Sequence, residues 1–145
     1  MRVFFDTSVL VAASALSHPH HVPAFEAFRR VTTGADEGYI GVHSIAEAFA
    51  ALTRLPVLPR VHPSEATSII RENILKHCTL VPAGKTEYLA ALTVMQVRGL
   101  SGAKIYDALL LACAARSSAE RIYTFNLSDF RALASDDQLN RICAP

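Results

Sequence analysis

Asp6, Glu47, Asp107 and the neighbours Asn126 and Asp129 are the side chains whose type and surroundings could carry chemistry. Each stands where a polar group is out of place. Asp6 follows the apolar run Val3-Phe4-Phe5, and Glu47 has Ala46, Ala50 and Ala51 on its side of a helical pattern. Asp107 interrupts KIYDALLLACAA, and Asn126 follows RIYTF. Three or four carboxylates gathered in one place repel each other and raise each other's pKa unless a cation neutralises them. Hard oxygen donors of this kind favour Mg²⁺, with Mn²⁺ as an alternative. Such a centre can activate water in line with a phosphodiester and stabilise the leaving oxygen.

Each position also has a plainer reading. Asp6 is placed to cap a helix or close a turn. Ser44-x-x-Glu47 matches a capping box, and Asp107 lies in the first turn of its helix, where the macrodipole favours a carboxylate. Whether these groups converge depends on the elements that carry them.

Val3–Phe5 is strongly β-prone and reads as an interior strand of a parallel sheet, with Asp6 at its carboxyl end, where open α/β sheets bind ligands. Val9 to Leu16 reads as a short helix, and His18, Pro19, His20 and His21 as a solvated loop. Ala24 to Val31 is a helix started by Pro23, with Phe25 and Phe28 inward. Gly38 to Val42 is a second strand, and a helix runs from Ser44 to about Leu55 with Ile45, Ala48, Phe49 and Leu52 as its apolar stripe. Glu47 then faces a cavity. Another helix spans Pro63 to about Lys76, Thr79 to Val81 is a third strand, and Glu87 to Arg98 is a helix closed by Gly99. Gly84-Lys85-Thr86 resembles the end of a phosphate-binding loop, but Thr79 stands where that motif needs glycine. Lys104 to Ala115 is the most apolar helix. Arg121 to Phe125 is a fourth strand, Asp129 and Phe130 lie on a short helix, Asp136 and Asp137 sit in a surface turn, and Arg141 to Cys143 is an edge strand. Strands alternating with helices imply an α/β fold around a central, mostly parallel sheet.

Composition bounds the rest. A chain of 145 residues, half of them apolar, is the size of a single domain with a real core, residues 1–145. It carries no membrane-spanning run and no signal-peptide pattern, so a soluble cytoplasmic protein is expected. Cys78, Cys113 and Cys143 lack metal-site spacing and do not suggest a disulfide framework; Cys113 reads as core. A net charge of +1 makes no case for nucleic-acid binding by bulk electrostatics.

FFDTSVL around Asp6, HSIAEAFAAL around Glu47, IYDALLLACA around Asp107 and YTFNLSDF from Tyr123 to Phe130 occur together, in an order and spacing that resemble the PIN-domain ribonucleases, in particular the VapC-type toxins of bacterial toxin–antitoxin pairs. The similarity covers essentially the whole chain. It implies a Rossmann-like three-layer α/β/α sandwich, Mg²⁺-dependent endoribonuclease activity on RNA, a homodimer and a cognate antitoxin. Asp6, Glu47 and Asp107 would be the metal-binding acids. The family often has a fourth acid where this chain has Asn126, and Asp129 is the substitute to consider. Ser8 and Thr124 match positions whose hydroxyls brace the acids, and Arg98 and Lys104 are candidates to contact substrate phosphates. Two other readings are a PIN-like module that binds RNA or protein without cutting, and an aspartyl phosphatase with Asp6 as nucleophile. Against the phosphatase, Ser8 stands where such enzymes carry a second Asp.

Overall fold

In the computed structural model, which describes residues Met1–Pro145, alternation along β1 (Arg2–Phe5) divides the interior into two cores. Val3 and Phe5 enter one hydrophobic cluster and Phe4 the other, all three fully buried. Successive strand side chains point to opposite faces, so a strand apolar on both faces must be covered on both. β1 is the middle strand of a five-stranded sheet, with β2 (Glu37–Gly41), β3 (Cys78–Val81), β4 (Arg121–Tyr123) and β5 (Ile142–Cys143) in the order β3-β2-β1-β4-β5. Every pairing is parallel. The order reverses at β1, where β2 and β4 lie on either side of it, and a crevice opens beyond the carboxyl ends at such a switch point.

Helices cover both faces, giving the expected three layers. On one side lie α1 (Thr7–Ser14), α2 (His21–Thr32), α3 (His43–Arg54) and α4 (Pro63–Ser68), the last running on as a π-helical stretch over Ile69–Leu75. On the other are α5 (Lys85–Arg98), α6 (Lys104–Ser117) and α7 (Leu127–Leu133), with α8 (Asp136–Leu139) leading into β5. Gly99 closes α5 in the left-handed conformation at φ +63°. Gly84 N–H donates to Glu87 Oε2 at 2.7 Å, so the Gly-Lys-Thr segment is a helix start. Gly41 lets β2 lie close under α6, since a Cβ there would come within 2.8 Å of Leu110 Cδ2. That close approach seats the helix carrying Asp107 beside the strand that leads to Glu47.

Several local expectations need correction. α2 begins at His21, and its buried face is Ala24, Ala27, Phe28 and Val31, whereas Phe25 is 44% exposed. A helix started three residues earlier keeps its phase, and 3.6-residue periodicity allows only one of two phenylalanines three apart to face the sheet squarely. Phe28 wins by meeting Phe5 edge-on at 5.8 Å, while Phe25 stacks on His21. Phe49 is also exposed, and the buried line of α3 is Ser44, Ala48 and Leu52. The fourth strand stops at Tyr123.

This assignment separates the two phenylalanines energetically. Phe28→Ala should destabilise by about 3–5 kcal/mol and Phe25→Ala by no more than about 1 kcal/mol. Urea unfolding of the two variants checks this, and equal losses would contradict the packing.

Candidate active site

Asp6 sits just past β1, only 2% exposed. It is the N-cap residue of α1, yet its carboxylate makes no capping hydrogen bond. Its Oδ2 instead accepts from Ser8 Oγ at 2.5 Å and Thr124 Oγ1 at 2.8 Å. Both hydroxyls are held in turn. Ser8 Oγ accepts from the Phe125 N–H at 3.2 Å, and Thr124 Oγ1 from the Asn126 N–H at 2.9 Å. Two relays thus join the ends of β1 and β4 through one carboxylate and fix its orientation. Burial raises the Asp6 pKa, opposed by the Ser8 and Thr124 hydroxyls.

Next to Asp6, Thr7 Oγ1 donates to Ser44 Oγ at 3.0 Å, pinning the start of α3 to the end of β1. Ser44 is therefore not a cap; the helix has already begun at His43, and no side-chain cap forms. Glu47, one turn on, is released from any capping duty. Its Oε1 is buried without a hydrogen-bond partner, with His43 Nε2 at 3.4 Å. Burial and the nearby charges of Asp6 and Asp107 push its pKa up to about 7.

Asp107 lies in the first turn of α6, half-buried. Burial, then the charges of Asp6 and Asp129, raise it to about 7, against a smaller opposing effect of Lys104. Asp6, Glu47, Asp107 and Asn126 line one pocket of about 490 Å³ together with Ser8, while Thr124 is wholly buried behind it. Asp129 is not in its wall; it pairs with Lys104 Nζ at 3.0 Å, near enough to influence Asp107. Arg98 is turned elsewhere, donating to the carbonyls of Ala132 and Ala134 at the end of α7.

The histidine segment corrects the sequence reading. His18 and His20 belong to the pocket wall, and His20 stacks on Phe125 with ring centroids 4.4 Å apart. Pro19 broke the helical spacing and hid them; only the three histidines in four positions signalled more than a loop.

A carboxylate cluster with one orphaned oxygen and two pKa values near 7 is an uncompensated negative site, and its all-oxygen donors suit a hard divalent cation. No three of the His, Cys, Asp and Glu side chains are drawn closely enough together to ligate one ion. Such an arrangement suits a hard divalent cation that takes one or two carboxylates directly and keeps several waters. The phosphatase reading gains no support here: Ser8, at the position where such enzymes carry a second Asp, is spent on Asp6 Oδ2.

The raised values have a linkage consequence. A carboxyl with a folded pKa above its unfolded one holds a proton in the folded state that the unfolded chain has lost, so its contribution to stability declines from about pH 4.5 up to about 7. Glu47→Gln removes that decline. In EDTA, the variant should gain stability relative to the parent as pH rises from 4.5 to 8, measured by urea unfolding; a difference independent of pH would contradict the assignment.

Comparison with known proteins agrees with this architecture. A family model of the PIN domain matches residues 3–136. Ribonuclease VapC27 of Mycobacterium tuberculosis (strain ATCC 25618 / H37Rv) is 32% identical over 117 residues, 79% of this chain and 78% of that protein. A chain in the crystal structure of VapBC2 from Rickettsia felis, bound to a DNA fragment from their promoter, superposes with a TM-score of 0.65. It is 15% identical, and the match covers 92% of this chain and 93% of that one, a likeness of fold. By its sequence match, its sheet order and its cluster of acids, this chain belongs to the PIN-domain family, and within it to the VapC type.

Proposed function

We propose that this protein is a metal-dependent endoribonuclease, the toxin of a toxin–antitoxin pair. The observation that carries the reading is the convergence of Asp6, Glu47 and Asp107 on one pocket, with Glu47 Oε1 left without a partner. The 32% identity to a ribonuclease supports RNA as the substrate.

Of Asp6, Glu47 and Asp107, one or two would hold the cation directly and the rest through its waters, Mg²⁺ or in its place Mn²⁺. Bound there, such a cation neutralises charge on phosphoryl oxygens and lowers the pKa of water. The chain's own groups do the rest. Ser8 and Thr124 hold Asp6 in one orientation through their hydroxyls. Glu47, whose Oε1 has no partner in the protein, would bind the cation or orient the attacking water. Lys104, at the rim and paired with Asp129, can turn to a substrate phosphate; Arg98, already engaged with two carbonyls, has the weaker claim. Asn126 completes the wall where related proteins often carry an acid, and Asp129 would replace that acid only by leaving Lys104. The cognate antitoxin, a homodimer and a cytoplasmic location complete the proposal; no helix is long and apolar enough to cross a membrane.

Asn126 also motivates a second reading, a PIN module that binds RNA or protein without cutting. The two separate in one assay. Asp107→Asn should keep the fold by circular dichroism yet lose at least about 100-fold in cleavage of structured RNA, and EDTA should abolish cleavage by the unmutated protein. Undiminished cleavage by the variant would sink the catalytic assignment, and RNA binding without cleavage under any metal condition would establish the second reading.

A further inference from the structure

The acids account for a phosphodiester but leave unexplained the rings around them. His20 lies against Phe125 with centroids 4.4 Å apart and planes 17° from parallel, in the wall of the acid pocket. Phe125 is anchored from below, packed on the hydrophobic core that contains Phe5 and Phe28. His20 above it is exposed, and its ring makes no hydrogen bond in the protein; its backbone N–H donates to His18 Nδ1 at 3.1 Å and its carbonyl accepts from the Ala24 N–H at 3.2 Å. A second pair repeats the arrangement. His43 and Tyr106 stack at 4.9 Å and 13°, with His43 Nε2 3.4 Å from Glu47 Oε1 and Tyr106 next in the chain to Asp107. Tyr106 is 46% exposed. Flat rings beside a phosphate-handling site offer what unpaired nucleotides need, a π-face for a base that has left its own stack.

We propose that the His20–Phe125 pair is a stacking platform for the base of an unpaired nucleotide next to the scissile phosphate, with His43–Tyr106 offering a second such platform. The inference rests on the endoribonuclease reading and adds to it the side chains that would hold the base beside the cut. The bulk charge of the chain, only +1, is consistent with an affinity that does not depend on a broad basic surface.

The test uses a short unpaired oligoribonucleotide that the unmutated protein cuts, and copies made abasic at each position in turn. Binding is read by fluorescence anisotropy with Asp107→Asn, which holds RNA without cutting it. Removing the base beside the cut should weaken binding roughly tenfold. In the His20→Ala, Asp107→Asn double variant the intact oligonucleotide should bind roughly tenfold more weakly, and removing that base should cost nothing further. His20→Phe should restore both the affinity and the sensitivity to the abasic site, which separates stacking from charge or hydrogen bonding. Tyr106→Ala should behave likewise toward a different nucleotide. If the losses from His20→Ala and from the abasic site are independent of each other, or if His20→Ala loses nothing, the platform is overturned while the ribonuclease reading stands. If the unmutated protein neither cuts nor binds any RNA, the ribonuclease reading falls and the platform with it.

Discussion

The hydrogen bonds from Ser8 and Thr124 to Asp6 are the constraint on which the site depends. Asp6 and Thr124 are separated by most of the chain, yet parallel pairing of β1 with β4 brings Phe5 opposite Tyr123 and leaves the next residue of each strand facing the other. A carboxyl buried to 2% exposure is costly to ionise, and the Ser8 and Thr124 hydroxyls, each fastened to the backbone of the turn after β4, offset part of that cost. The neighbouring Thr7–Ser44 contact extends the same logic to α3. Asp6 is thus rigid, and Glu47 is placed relative to it.

Glu47 and Asp107 are not balanced in the same way. Neither has a cation beside it to match its charge: His43 reaches Glu47 only at 3.4 Å, and Lys104 is turned to Asp129. Elsewhere the chain pairs its buried acids carefully. Asp36 accepts from Arg30 and the N-terminal ammonium, which holds it below the usual carboxylate range, and Glu87 is met by Arg116 and the Gly84 amide. The contrast between satisfied structural acids and unsatisfied acids at the switch point of the sheet is what makes a cation-binding role the best account of the pocket.

The architecture was readable because its signals are local. An apolar triplet, a helix free of polar faces and glycine at a helix end each declare their element. The three pocket acids were readable for the related reason that each is a lone charge in apolar surroundings. What stayed hidden depended on tertiary contacts. Ser44-x-x-Glu47 has the letters of a capping box, but Thr7 claims Ser44. Asp129 has the right chemistry, but Lys104 claims it. Phe25 and Phe28 are indistinguishable by type, and only the position of Phe5 decides between them. His18 and His20 reached the pocket through a loop whose path no periodicity describes.

The central claim, that the acid pocket is a divalent-cation site in which Glu47 and Asp107 hold protons near neutrality, is tested most directly by calorimetric titration with Mn²⁺ in buffers of differing ionisation enthalpy. With two carboxyls titrating at about 7, binding at pH 7 should release about one proton per ion, falling towards zero by pH 9. Binding that releases no proton at pH 7, or no binding in the millimolar range, would contradict the account.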